Sequence, residues 1–171
     1  MAFSLQSDLP ANWADNVGMI ENAAYLNAVG EMNNALKSAL TTIVNGAATA
    51  AVATAESTSS SSYVDLTTTT DTVTVTIGNS GMAIVLIQAQ HANTGGYNLT
   101  SFTISGSTTR AADDTTCIQA AGHASGVQVQ VGNAYLVTGL TAGSNTFKMK
   151  YKVISGTGTF ANRRIAVIPL P

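Results

Sequence analysis

The chain has 171 residues, of which only 9 % are Asp, Glu, Lys or Arg, with a formal net charge of −2 and a pI of about 5.5. Soluble domains usually carry about 25 % charged residues, and binding to nucleic acid needs a basic face, so a nucleic-acid partner is excluded. Hydrophobic residues at 45 % with regular periodicity exclude disorder, and the single cysteine, Cys117, excludes an intrachain disulfide.

Residues 1–21 read as an irregular arm. Pro10, Asn12, Asp15, Asn16 and Gly18 favour turns, while Phe3, Leu5, Leu9, Trp13, Val17, Met19 and Ile20 are apolar. An arm with scattered large apolar residues suits docking on a partner, and Phe3, Leu5, Leu9, Trp13 and Val17 are the docking candidates. The alternative is that Trp13, the only tryptophan, folds back on the start of the helix that follows. The first ten residues lack the basic region and apolar core of a signal peptide. The weakly apolar run 46–55 is too short to span a bilayer. The expectation is a soluble protein made in a cytoplasm.

Residues 22–55 read as a helical stalk. Leu26, Val29, Asn33, Leu36, Leu40 and Ile43 are spaced three, four, three, four, three, which is a heptad seam with Leu26, Asn33 and Leu40 at a. Tyr25, Met32 and Ala39 widen it. Asn22 is a competent N-cap, with Glu21 beside the positive helix end, and Gly46 is a natural stop. Residues 47–55 could continue a thin, Ala-rich helix. Two surfaces could cover the seam: the same helix in sister copies, or the chain's own β domain. Asn33 at an a position and the small-residue stretch after the helix favour sister copies.

Glu56 to Ser62 reads as a flexible Ser/Thr linker, and residues 63–171 as a β head. The period changes to two: Val73, Val75 and Ile77 alternate with threonines, and Met82 to Gln90 is almost continuously apolar, as in a central strand. Leu99–Ser105, Thr108–Ala112, Thr115–Ala121, Val127–Val131, Tyr135–Thr138, Phe147–Val153 and Arg164–Ile168 are further candidate strands. Eight or nine short strands separated by turn signals predict a mainly β fold, an antiparallel jelly-roll-like sandwich.

No catalytic, cofactor or metal site is assigned. His91 and His123 read as loop residues, Asp113-Asp114 as a turn, and Cys117 as a small buried hydrophobe. Two histidines and one cysteine at unrelated spacings do not make a zinc site. There is no Gly-x-Ser-x-Gly elbow, phosphate loop or dinucleotide motif. Lys148, Lys150 and Lys152 form a basic row on one strand face, read as solvated. A glycan-degrading enzyme would need a paired-carboxylate set, and none of the nine acids is singled out.

Trp13-Ala14-Asp15 followed by Asn22-Ala-Ala-Tyr-Leu-Asn27 resembles the N-terminal attachment segment of tailed-phage fibre proteins, with Asn16 in place of a glycine, Asn22 in place of a threonine and the acid displaced to Glu31. Tyr135 to Phe147 and Gly156 to Arg163 resemble the C-terminal domain of phage head-fibre and minor tail proteins. The resemblance implies a non-enzymatic homotrimer in a virion, a capsid decoration protein or head fibre. It would dock on the major capsid protein through its N-terminal region, on the outer surface of the capsid, after assembly in the host cytoplasm. The alternative it implies is a tail-fibre or minor tail protein that binds host-surface glycan.

Overall fold

The computed structural model describes residues 23–93, 95–120 and 127–171. Two compact units meet in sequence between Gly46 and Ala47. Among its described residues the first holds one helix, α1 (Ala23–Gly46). Ala and Leu favour it, Thr42 bonds its hydroxyl back to the Ser38 carbonyl at 3.0 Å, and Gly30 costs about 1 kcal/mol relative to Ala. The expected arm 1–21 and the cap Asn22 lie outside the described residues.

The second unit holds nine strands among its described residues: β1 (Ala48–Val52), β2 (Glu56–Thr58), β3 (Thr72–Ile77), β4 (Ala83–Asn93), β5 (Asn98–Gly106), β6 (Ile118–Ala120), β7 (Val129–Val137), β8 (Gly143–Val153) and β9 (Gly158–Pro169). One sheet runs β1-β9-β4-β7, with β2 also on β9, and the other runs β3-β8-β5-β6. Every ladder is antiparallel. β1 and β2 share one sheet and β5 and β6 the other, and every other step along the chain crosses between the sheets, the order of a jelly roll, as expected. The core lies between the sheets. Val73, Val75 and Ile77 meet Val85, Ile87, Phe102, Phe147, Met149 and Val167, all buried. Gly81 takes φ 63° in the β3–β4 turn, where a Cβ would stand 2.7 Å from the Leu140 carbonyl oxygen.

Several expectations are corrected. The helix ends at Gly46, and residues 48–52 form an edge strand on β9 rather than a thin helix. Ala favours helices, but Ala48 and Ala50 pack against the core, and the ladder outweighs the propensity. The expected linker 56–62 begins with strand β2, paired to β9 and fixed by the Glu56 carboxylate. The two pieces read at Val127–Val131 and Tyr135–Thr138 are one strand, β7, because Gly132 and Asn133 stay in register with Gln88 and Ile87. Thr108–Ala112 is not a strand; only Arg110 bridges to Ile104.

Candidate functional site

All six seam residues fall on α1, and their period places them along one side of it. Leu36 is 68 % exposed and Leu40 39 %. Asn33 is exposed, whereas Leu26, Val29 and Ile43 are half-buried. Met32 at 68 % and Tyr25 at 65 % extend the open strip on its g side. In proteins, tertiary or quaternary burial of an apolar face supplies most helical stability. Aliphatic side chains of this kind supply no catalytic group. The docking candidates Phe3, Leu5, Leu9, Trp13 and Val17 lie outside the described residues, as does His123.

A charged cluster that the sequence did not reveal sits inside the β unit. Opposite Ala89 of β4, strand β9 carries two residues, Asn162 and Arg163, where the register shifts. Asn162 takes φ 46° and is exposed. This bulge resets the in–out alternation, so that Phe160, Arg163 and Ile165 all point inward while Arg164 points out. Arg163 is fully buried. Its Nη2 donates to Glu56 Oε2 at 2.8 Å, and its Nη1 lies 3.2 Å from Asp71 Oδ2. Tyr151 donates its hydroxyl to Asp71, and its ring centroid lies 5.3 Å from the guanidinium carbon. Glu56 also accepts from the Thr68 amide and hydroxyl, at 3.0 and 2.7 Å. Burial pushes the Glu56 carboxyl up, but the Thr68 bonds and the Arg163 charge outweigh it and hold the carboxyl below its ordinary value. Burial pushes the Asp71 carboxyl above its ordinary value, against the Tyr151 bond and the Arg163 charge. The cluster ties β2 and the approach to β3 onto β8 and β9; it is a clasp for the fold. The one sequence signal was the doublet Arg163-Arg164 within a strand.

His91 is also corrected. It lies within β4, buried, and not in a loop. Its Nε2 shares a hydrogen bond with Thr100 Oγ1 at 3.1 Å, and the Phe160 ring stands edge-on at 5.2 Å. Burial pushes the imidazole down to about 4 from 6.5. A depressed value means that the folded chain binds fewer protons than the unfolded chain between the two. Stability from neutral His91 is therefore present above pH 6.5 and is lost as the pH falls toward about 4. The interval corresponds to roughly 3 kcal/mol. Thermal melts at pH 7.5 and 4.5 are expected to show a smaller acid loss for His91→Gln than for the parent. Equal losses would mean that the imidazole is not the titrating group.

The basic row is not freely solvated. Asp65 pairs with Lys148 at 3.0 Å and Lys150 at 2.8 Å, and Asp114 pairs with Lys152 at 2.7 Å. Tyr63 donates to Asp114 at 2.9 Å while Lys152 lies over its ring. The acids come from loops that cross the β8 face, a neighbour the strand pattern could not display. Asp113 caps the short 3-10 turn Asp114–Thr116, in line with the turn reading. Cys117 is half-exposed rather than buried, with its thiol 3.3 Å from the Asp114 carbonyl oxygen. Among the described residues no group of three or more His, Cys, Asp or Glu is placed to hold a metal ion, and no helix is long and apolar enough to cross a membrane.

No protein-family model and no curated protein matches the sequence. Among solved structures, the chain is similar to Eiger, a TNF protein of S. frugiperda, with a TM-score of 0.50, 10 % identity, and coverage of 74 % of this chain and 94 % of that one. At that identity the likeness shows the fold alone. Weaker likenesses reach a VP2 protein of infectious bursal disease virus (TM-score 0.45, 11 % identity, 72 % of this chain and 31 % of that one). They also reach the enzymatically active domain of tailspike protein 4 of bacteriophage CBA120 (TM-score 0.35, 14 % identity, 74 % and 19 %). The chain spans about a third of the former and a fifth of the latter.

Proposed function

We propose that the chain is a structural, non-enzymatic protein of a tailed-phage virion, a homotrimeric capsid decoration protein or head fibre. Residues 1–21 dock on the major capsid protein at the outer surface of the capsid, α1 joins three copies, and the β-sandwich is displayed. Assembly takes place in the host cytoplasm. The observation that carries this reading is the exposed middle of the α1 strip, where Leu36 and the flanking Met32 are each 68 % exposed. In a trimer each strip covers the other two. Leu at a with Ile at d shifts helical assemblies toward three or four strands, and Asn33 at an a position fixes register; the resemblance to fibre proteins favours three. The β unit has its own continuous core, so the helix is free to serve association.

In a parallel trimer the three arms emerge at one end, and each later contact is intramolecular, which raises avidity. Deletion of residues 1–18 is expected to leave a folded trimer that no longer binds particles. Trp13→Ala is expected to weaken particle binding without lowering the melting temperature of the head. Truncated trimers that coat particles at full occupancy would put the docking surface elsewhere. Immunogold labelling of particles is the direct test of location: gold on the capsid is expected, and gold on the tail would move the chain to the glycan-binding tail-fibre alternative.

A further inference from the structure

The two sheets present opposite chemistry to the outside. On the β3-β8 sheet the outward positions are polar: Thr72, Thr74 and Thr76 on β3, and Lys148, Lys150 and Lys152 on β8. On the β9-β4-β7 sheet two outward rows across three strands are aliphatic, and the rows beyond them carry Gln88 with Arg164 and Gln90 with Gln130. The ladders align Ile168 with Ile84 and Leu136, and Ala166 with Leu86 and Ala134. Leu136 is 62 % exposed and Leu86 39 %. An antiparallel sheet with one wet face normally alternates apolar inside with polar outside. The polar sheet obeys that rule, and these two rows of the other sheet break it, within one domain. Beside the rows lies a groove of about 440 Å³, open because Gly132 and Ala166 lack bulk, with Leu86 and Arg164 along it.

We infer that this face packs against the same face region of sister copies, so that the β heads form a second trimer contact beyond α1. The inference rests on the trimer proposed above. The occupant follows from chain connectivity. Only Ala47 separates the last residue of α1, Gly46, from the first of β1, Ala48. Two trans peptide links span at most about 7.6 Å. Helices that associate lie roughly 8–10 Å apart. Three α1 C-termini gathered on an axis therefore gather three copies of β1. Strand β1 is the edge of this sheet and pairs with β9, with Thr49 opposite Ala166 beside the groove. The aliphatic face thus belongs to the sheet that the chain must bring near its sisters, and the polar face belongs to the other. An aliphatic patch on that sheet is what sister copies would bury.

The test uses the full-length chain with Cys117→Ala, carrying either Ala134→Cys on the aliphatic face or Thr74→Cys on the polar face. Light scattering first establishes the mass, and a bulky maleimide then reports access to each thiol. In a trimeric sample, Ala134→Cys is expected to react roughly tenfold or more slowly than Thr74→Cys, since modification requires the contact to open. A short bismaleimide is expected to join copies through Ala134→Cys and not through Thr74→Cys. Equal reaction rates and no cross-link in a sample of trimeric mass would overturn the head contact and leave the α1 trimer standing. The same result with protection appearing only on particles would assign the face to a capsid partner, and also overturns it. A monomeric mass would overturn the α1 trimer itself, and the head contact with it.

Discussion

Arg163→Met is expected to lower the melting temperature of the β head by roughly 10–20 °C. The side chain is fully buried and is the cation shared by Glu56 and Asp71, which are themselves buried or nearly so, with side-chain exposures of 13 % and 2 %. Methionine keeps much of the volume, so the loss is electrostatic rather than a cavity. Removing one partner of a buried ionic group leaves uncompensated charge and costs about 3–5 kcal/mol. The Arg163 Nε and Nη1 atoms lack hydrogen-bond partners among the described residues, so the cluster is incompletely satisfied even in the parent. Neutralising the acids as well, with Glu56→Gln and Asp71→Asn beside Arg163→Met, is therefore expected to restore much of the loss. A melt of the single variant that matches the parent would show that the clasp contributes nothing to folding.

Leu36→Asp is expected to convert the proposed trimer to monomers while leaving the β head folded. Leu36 sits at the centre of the seam, with Met32 and Leu40 one turn away on either side. In a parallel trimer three carboxylates would face one axis without a cation, and burial of an unpaired charge costs more than a three-heptad seam can supply. Because Leu36 is 68 % exposed within one chain, the substitution costs the monomer little. Sedimentation velocity together with a head melt reads both effects. A trimer that persists through Leu36→Asp would move the association away from this face.

The β sandwich was legible where alternation is strict. Val73, Val75 and Ile77, or Phe147, Met149, Tyr151 and Val153, point one way and their neighbours the other. It was illegible where a pairing partner far along the chain decides the outcome. Ala48 to Val52 has helical composition, yet β9 supplies a ladder some hundred residues away. Glu56 heads a serine run that looks flexible until Arg163 is placed beside it. Arg163 itself was hidden because a bulge at Asn162 reverses the side to which each later residue points, and composition does not reveal a bulge. The Lys148, Lys150 and Lys152 row was visible, but Asp65 and Asp114 reach it through the fold. For α1 the apolar spacing marked the helix itself, and in the proposed trimer sister copies, rather than the same chain, would cover its strip.

The mass of the full-length protein in solution tests the central claim most directly. Multi-angle light scattering at micromolar concentration is expected to give three times the 17.4 kDa chain mass. A mass of one chain under those conditions would contradict the trimer and, with it, the reading of α1 as the element that joins the copies.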